Sequence, residues 1–342
     1  MRIFLCFFVL LLNKIFYTAC SPENKDDLIP PTIIDSTDTK GDNTNPPPKA
    51  IIVKKSSENE ISNFKINLNR AESYYLGSVW SLGDTSKGLE ILHLPNKEKK
   101  EKIHFLSYNT SVDLENHIPS YVNMLTYAKK FNPGSTTLNF SSGSFFDYGI
   151  IQYYLGNGDD YKVVKELVAI NDSTYIRKKN GVSRYSLHEY LYIFTDLVEI
   201  NSIYDENYLK QLKDEKFNPY YISSVTYGAE SIFLAETDST QAAFNSVFDK
   251  LIKNSELLSS DIAVLDASNM LIYRKDSSNK NSFIKFGKGS SEIRNYIKEF
   301  NDLNKRSANS VNFPFSFTLS KLDDMTTLKY KMKYDIFEKV EK

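Results

Sequence analysis

The chain has 342 residues, of which 41% are hydrophobic, so it is long enough to bury one large core or two smaller ones. Its 42 Lys and Arg residues almost balance its 43 Asp and Glu residues, which argues against a nucleic-acid binder or a general binder of acidic surfaces. Aromatic residues are abundant, with 23 Tyr and 22 Phe against a single Trp, and this composition favours a β-rich protein.

Residues 1–20 have the organisation of a signal peptide. Arg2 provides a basic start, Ile3–Leu12 is an apolar run, and small residues precede Cys20. This ending resembles a lipobox, in which signal peptidase cuts before the cysteine and the cysteine is acylated. An uncleaved membrane anchor is the alternative, although the apolar run is short for a span of about 20 residues. We therefore expect lipidation at Cys20.

Residues 21–60 are predicted to form a disordered tether. They are rich in Pro, Asp, Thr, Asn and Lys and cannot bury enough apolar surface to fold. Their extended reach is on the order of 100 Å at ~3.1 Å per residue. Lys25-Asp26-Asp27 resembles a short signal that sends some Gram-negative lipoproteins to the cell surface. We therefore expect a lipid-anchored protein at the outer membrane or cell surface, or a form released from it.

Catalytic and metal-binding motifs are not found in the sequence. Cys6 would leave with the signal peptide and Cys20 would carry lipid, so no thiol would remain for a nucleophile or a metal site. The histidines lack ligand spacing, and neither HExxH nor GxSxG occurs; they are His93, His104, His117 and His188. We expect no enzyme activity, no cofactor and no bound metal.

Residues 61–342 are predicted to be the folded part, in which short strands and helices alternate. Up to residue 218, the predicted strands are one beginning near Val79, Gly88–Leu94, Ile103–Tyr108, Thr137–Phe146, the segment before Gly158, and Ser186–Ile200; the predicted helices are Ser111–Phe131, the start of Asp159–Gly181, and Asn207–Lys213. Beyond residue 254, the predicted strands are Ile262–Leu265, Met270–Tyr273, Phe283–Phe286, Asn312–Thr318 and Lys329–Val340, with a helix from Ser290 or Ser291 to about Leu303.

The stretch Pro219–Asn254 carries the most information. It predicts a strand, a break at Gly228, a second strand and an amphipathic helix. Asp238 and Gln241 have the spacing of a capping box at the start of that helix.

The amino-acid sequence of this stretch resembles that of the thiol-activated (cholesterol-dependent) cytolysins, which are bacterial pore-forming toxins. Their central sheet contains a strand of the form Y-I-S-S-V-x-Y-G, followed by a helix containing A-A-F. The matching strand residues here are Tyr221, Ile222, Ser223, Ser224, Val225, Tyr227 and Gly228. A buried strand can contain I-S-S-V by chance, but Ala242–Phe244 and the later strand Asn312–Thr318 also match in the same order. The resemblance covers about residues 70–342.

The resemblance implies an α+β fold of the MACPF/CDC-like pore-forming type, a twisted antiparallel central sheet flanked by helical clusters. In that family two clusters unfurl on oligomerisation into transmembrane β-hairpins, which join into one large barrel. The corresponding segments here are about 159–188 and 259–289. A barrel strand of about 9–11 residues crosses a bilayer, so about 30 residues suffice for a hairpin. The alternative is that Val163–Val168 belongs to a core helix that never moves.

Two departures from the family pattern bear on function. The family's C-terminal β-sandwich, with its tryptophan-rich loop, has no counterpart before Lys342, so cholesterol recognition is not carried over. A longer family member that carries this domain is then a candidate partner, besides the target membrane and further copies of the chain in a ring. The family also places a Gly-Gly pair beside an edge strand. Asp266 and Ala267 occupy the matching positions and form the candidate hinge, although unusual backbone dihedral angles cost both residues more free energy than they cost Gly.

Two functions remain open on this basis. The first is a pore-forming surface lipoprotein that oligomerises on a target membrane and inserts hairpins from both clusters. The alternative is a non-lytic surface lipoprotein that uses the same scaffold for adhesion or binding. A glycan-binding protein is a third hypothesis, which rests on the abundance of Tyr alone.

Overall fold

The computed structural model describes residues 51–82, 91–94, 103–107, 115–130, 137–156, 158–170, 173–195, 204–214, 219–307 and 311–340. The predicted signal peptide, Cys20, Lys25-Asp26-Asp27 and the first part of the predicted tether lie outside these ranges. The strands are β1 (Ile51–Ile61), β2 (Asn63–Lys65), β3 (Val79–Leu82), β4 (Ile91–His93), β5 (Ile103–Ser107), β6 (Glu115–His117), β7 (Thr137–Ser144), β8 (Asn180–Thr195), β9 (Pro219–Thr237), β10 (Ser268–Asp276), β11 (Phe283–Lys288), β12 (Ser316–Lys321) and β13 (Tyr330–Val340). The α-helices are α1 (Tyr121–Lys129), α2 (Ile151–Leu155), α3 (Asp159–Val168), α4 (Glu206–Asp214), α5 (Gln241–Ile252), α6 (Ser259–Asp266) and α7 (Gly289–Ser307), with 3₁₀ turns at Leu68–Ser73 and Tyr148–Ile150.

Strand β9 is the long central strand of an antiparallel sheet. It runs for 19 residues, and every residue from Tyr220 to Thr237 is buried. On one edge β9 pairs with β8 and, at its beginning, with β3; on the other edge it pairs with β10 and β12. Because both faces and both edges of β9 are covered, its sequence reads as a nearly continuous apolar and small-residue run.

The predicted break at Gly228 is wrong, because β9 continues through this residue. A Cβ atom added to Gly228 would lie 2.2 Å from the carbonyl oxygen of His188 on the neighbouring strand. The pairing of β8 and β9 shifts here, between Glu189 and Leu191. Gly228 therefore marks a bulge where two backbones approach closely, which is a common reason for Gly inside a strand.

The two faces of the sheet carry different helices. Phe233 and Ala235 of β9 pack in a core with α5, α6 and α7, whereas Ile232 and Leu234 pack in a core with α2 and α3. This division follows from the two-residue period of a strand, since successive side chains point to opposite faces. A third core surrounds the first half of β9, where Trp80 is buried and stacks on Tyr74 with ring centroids 4.7 Å apart.

A two-stranded ribbon is formed by the two ends of the described chain. Strands β1 and β13 pair in register from Ile51 with Val340 to Ile61 with Tyr330. The strand predicted at Lys329–Val340 is thus confirmed, but the tether predicted for residues 21–60 extended too far, because residues 51–60 are part of β1. The polar residues of β1 have the composition of a linker, and this segment is a strand because it pairs with the distant strand β13.

Several short elements also differ from their predictions. The segment Ile262–Leu265, predicted as a strand, lies in α6, and the segment before Gly158 is helical. The helix predicted from Ser111 begins only at Tyr121, where the side chain of Ser120 accepts from the Asn123 amide at 3.2 Å. Short apolar runs fit a buried strand and a buried helix equally well, so periodicity does not separate them.

Candidate functional site

The candidate site is one end of the central sheet, where two long connections leave it. Strands β7, β8, β9 and β10 are neighbours in that order, and each pair is antiparallel. The register places Ser144, Asn180, Thr237 and Ser268 at the same end, which we call the helical end. The first connection, residues 145–179, joins β7 to β8, and the second connection, residues 238–267, joins β9 to β10. Both are far longer than the loop of about 2–5 residues that closes an ordinary hairpin.

The first connection contains α2 and α3 and is fastened by Asp147. This carboxylate is 4% exposed and accepts hydrogen bonds from the Gly149 amide at 2.8 Å, from the Thr174 hydroxyl and from the Phe337 amide of β13. Burial raises the pKa of Asp147, and its hydrogen bonds act in the opposite direction. The ring of Phe337 also meets Tyr175 edge to face at 5.8 Å. The ribbon is therefore attached to the first connection.

A second carboxylate joins the first connection to the far edge of the sheet. Asp160 of α3 accepts from the Tyr273 hydroxyl of β10 at 3.0 Å and from the Ser282 hydroxyl at 2.6 Å. The ammonium group of Lys275 lies 3.5 Å from the same carboxylate oxygen. Burial raises the pKa of Tyr273 well above its ordinary value, so the phenol remains a donor. Movement of α3 would break these contacts together.

The second connection contains α5 and α6 and lies on the opposite face. Phe233 of β9 makes edge-to-face contacts with Phe248 of α5 and with Phe300 of α7, each at 4.9 Å between centroids. Arg184 of β8 reaches α5, where its Nη1 atom lies 2.6 Å from a carboxylate oxygen of Asp249. These contacts hold the second connection by apolar packing and by charge at its margin.

Within the second connection, a cap and an ion pair fix the two helices. The hydroxyl of Thr240 accepts from the Ala243 amide at 3.1 Å and caps α5. The capping box predicted for Asp238 and Gln241 is wrong, because Asp238 pairs with Lys178 at 2.9 Å instead. The carboxylate of Asp261 in α6 accepts from the Lys250 ammonium at 2.7 Å, and this hydrogen bond lowers the pKa of Asp261.

The two edges of the sheet at the helical end are different. Within the described ranges, β7 pairs only with β8, and its Leu138 and Phe140 are 54% and 58% exposed. On the other edge, β11 covers β10 and runs straight into α7 through Gly289, whose φ is 71°. One edge is thus open to solvent, and the other is closed by a short strand.

The start of the loop between β10 and β11 is anchored in the interior. Arg274 and Asp276 are 3% and 8% exposed, and the Arg274 Nε atom lies 3.0 Å from an Asp276 carboxylate oxygen. The next residue, Ser277, exchanges two hydrogen bonds with Gly228 at 2.7 and 2.8 Å. Its carbonyl also accepts from the Asn312 amide at 2.8 Å. We call this set of contacts the loop anchor.

Comparison with solved structures identifies the architecture. The chain superimposes on a non-hemolytic pneumolysin from Streptococcus pneumoniae with a TM-score of 0.61 and 15% identity, over 87% of this chain and 67% of that one. It matches listeriolysin O with a TM-score of 0.60 and 15% identity, over 88% and 68% of the two chains. The human-specific toxin intermedilysin matches with a TM-score of 0.59 and 16% identity, over 85% and 65%. The chain has the cytolysin core fold.

The fold class and the resemblance predicted from the motif strand are thereby confirmed as statements about fold. The chain spans about two thirds of the length of these cholesterol-dependent cytolysins. No protein-family model matches the sequence, and no curated protein does either. In the described part of the chain, the helices are too short or too polar to cross a bilayer, and no three His, Cys, Asp or Glu side chains could share a metal ion.

The motif residues of the cytolysin core fold lie away from the helical end. Tyr221–Gly228 form the first half of β9, where all of them are buried in contact with β3, β8 and β12. Their packing explains why this strand can be recognised from sequence. The residues that fasten the connections, such as Asp147 and Asp160, were missed, because nothing in their local sequence distinguishes them from surface acids.

Two predicted features are displaced in the structure. Asp266 is the last residue of α6, and Ala267 leads into β10; the Asp266 carboxylate accepts from the amide of Ser290, two residues after the edge strand β11, at 2.9 Å. The loop that precedes β11 is residues 277–282, whereas Asp266 and Ala267 follow Ile262–Leu265, which was predicted as a strand and is a helix. The predicted hairpin segments 159–188 and 259–289 include parts of β8, β10 and β11. The helical connections are instead 145–179 and 238–267.

Proposed function

We propose that this chain forms membrane pores by opening its two helical connections into β-hairpins within a ring of copies. The observation that carries the proposal is the common helical end. Each connection joins two neighbouring antiparallel strands, and both leave the sheet in the same direction. Straightening them would therefore lengthen four adjacent strands without changing the strand order.

The lengths of the connections support this proposal. Two strands of about 9–11 residues cross a bilayer, and a short turn joins them. Residues 145–179 and 238–267 each supply that many residues. The opened strands would continue β7, β8, β9 and β10, so their backbone groups would pair with each other from the start.

The second connection also has a partial two-residue pattern. On one side of an extended chain would lie Ala242, Phe244, Phe248 and Ile252, and on the other Gln241, Asn245, Asp249 and Lys253. Ser246 and Lys250 interrupt the apolar side, and Ala243, Val247 and Leu251 interrupt the polar side. Membrane hairpins of this kind alternate between lipid-facing and polar positions, and their signal per segment is weak.

Ring formation would use the two edges of the sheet. Strands β7 and β10 run in opposite directions, so β7 of one copy can continue the antiparallel sheet beyond β10 of the next copy. For this pairing β11 must leave β10, and it would take α7 with it. The loop anchor fixes the start of the loop that joins these two strands, so it would restrict the movement of β11.

The cellular setting of the proposal rests on sequence. A lipid on Cys20 and the following polar segment would hold the folded part at the outer membrane or cell surface, or allow its release after cleavage. The target membrane could then be contacted directly or through a longer family member with its own membrane-binding domain. We propose no nucleic-acid partner.

A non-lytic surface protein is the second candidate, and two observations favour it. The loop anchor fixes the start of the loop that leads to β11 with a buried ion pair, which would restrict the movement of β11 and favour the monomer. One solved structure with this fold is a non-hemolytic pneumolysin, so the fold is compatible with the absence of hemolysis. In this case the same scaffold would serve adhesion or binding.

Dye release from liposomes tests the proposal. Residues 21–342 are added to vesicles before and after limited proteolysis of residues 21–50, and the same samples are imaged for rings. A matched variant, Asn269→Cys with Lys288→Cys, places cysteines at paired positions of β10 and β11. Partners in a strand pair have the Cα spacing that a disulfide requires. We expect leakage and rings from the reduced variant and neither from the oxidised one. Equal leakage from both forms would contradict release of β11.

A further inference from the structure

A groove of about 720 Å³ separates the second connection from α7. One wall contains Leu251 of α5, the turn after it and Ile262 of α6, and the other wall is a face of α7. This volume falls within the range of about 300–1,000 Å³ that is usual for small-molecule sites.

The wall on α7 carries two cations. Arg294 and Lys298 are four residues apart, so they project from the same side of the helix, and both line the groove. Neighbouring cations are paired, Lys285 with Glu299 and Lys305 with Asp302. For Arg294 and Lys298, by contrast, the described residues provide no carboxylate within 4.0 Å. The opposite wall contributes one acid, Glu256.

Below the cations the groove contains apolar side chains among polar ones. Leu257 and Ile262 are half-buried and offer apolar surface, whereas Leu251 and Ile297 behind them are 8% and 1% exposed. The side-chain amide of Asn301 donates to the carbonyl oxygens of Leu251 and Ile252, both at 3.3 Å, and so holds α7 against the end of α5. Half-buried apolar side chains below two cations suit a ligand with an anionic head and an apolar chain.

We propose that this groove binds a phosphate monoester that carries a short alkyl or acyl chain. The phosphate would lie between Arg294 and Lys298, because a guanidinium group forms paired hydrogen bonds with phosphate oxygens and an ammonium group adds a second charge. The chain would lie against Leu257 and Ile262. Such a compound could be a membrane lipid or a soluble metabolite, and the two sources share the same head-group chemistry.

The position of the groove gives the ligand a regulatory effect, a consequence that rests on the proposed function. One wall belongs to the second connection, and the other belongs to α7, which is continuous with β11. Opening would separate these walls, so the ligand binds only the closed chain. At a ligand concentration 100 times its Kd, the population of open chains falls about a hundredfold.

Isothermal titration calorimetry on residues 21–342 tests the binding site. The probes are octyl phosphate below its micelle concentration, glycerol 3-phosphate as a soluble phosphate monoester, and octyl glucoside as an uncharged amphiphile. We expect one saturable site for octyl phosphate, binding of glycerol 3-phosphate that is at least tenfold weaker, and no binding of octyl glucoside. Equal affinity for octyl phosphate and glycerol 3-phosphate would contradict the apolar part of the site.

Paired variants separate the site from general charge effects. Arg294→Gln with Lys298→Gln should weaken octyl phosphate binding at least tenfold. Lys305→Gln with Lys329→Gln removes the same charge elsewhere and should leave it unchanged. The replaced side chains are exposed or half-exposed, so both variants should keep the parent thermal midpoint. The absence of saturable binding, or unchanged binding in the first variant, would overturn the proposal. A chain that binds octyl phosphate but never releases dye contradicts only the proposed function, and one that releases dye without binding contradicts only this site.

Discussion

The strongest energetic prediction concerns the buried ion pair of the loop anchor. Asp276→Asn keeps the shape of the side chain but removes the carboxylate that lies 3.0 Å from the Nε atom of Arg274, a residue that is only 3% exposed. Arg274 also makes a 3.4 Å hydrogen bond to the Ser231 hydroxyl and lies over the Phe300 ring at 5.6 Å, and neither of these groups carries a negative charge. Removing one member of a buried pair typically costs about 3–5 kcal/mol. We expect a loss of this size in the free energy of unfolding.

Urea unfolding of residues 21–342, followed by circular dichroism, measures this change. The control is Glu58→Gln, which removes the partner of Lys331 in a pair whose side chains are 41% and 69% exposed. It should change stability by no more than about 1 kcal/mol. A double variant, Arg274→Met with Asp276→Leu, should recover most of the loss, because no uncompensated charge remains.

The same variant gives a local readout. Because Asp276 begins the loop of residues 277–282, its replacement should also raise the rate at which a protease cuts that loop under native conditions. A loss below about 1 kcal/mol, with unchanged cutting, would refute the reasoning, since it would mean that the pair is solvated and does not hold the start of the loop.

Three further predictions address the sheet and its connections. Gly228→Ala should lower stability by about 1–3 kcal/mol or more, because its Cβ would meet the His188 carbonyl at 2.2 Å, whereas Gly143→Ala, with its nearest atom at 3.6 Å, should have a much smaller effect in thermal unfolding. Thr240→Ala should cost about 1 kcal/mol in urea unfolding through loss of the α5 cap, and Ser239→Ala, which is not the cap, should cost less. Burial and the nearby Arg274 lower the pKa of His188, so the unfolded chain binds the proton more readily and stability should fall as pH drops below about 6.5. His188→Gln should reduce the difference in urea midpoint between pH 7 and pH 5, and an unchanged difference would exclude His188 as its source.

Some of the candidate site could be predicted from the sequence, and the part that could not has a common cause. The helix at 241–252 was predicted because its apolar residues recur with helical spacing and that spacing is a local property. Asp160 was not found, because it meets Tyr273 and Ser282 only after more than a hundred intervening residues have folded. Ile262–Leu265 was misassigned because four apolar residues do not distinguish a strand from a helix until their neighbours in space are known.

The sequence by itself determined the central strand of the sheet and the helix that follows it. The strand Tyr221–Gly228 and the helix after it contain enough matching residues to indicate the fold. This is because a strand buried on both faces tolerates few residue types. Only the tertiary structure decided that the two helical connections share one end of the sheet, that residues 51–60 pair with β13, and that Arg274 and Asp276 are buried together. These facts depend on strand order and register between distant segments, which local periodicity does not specify.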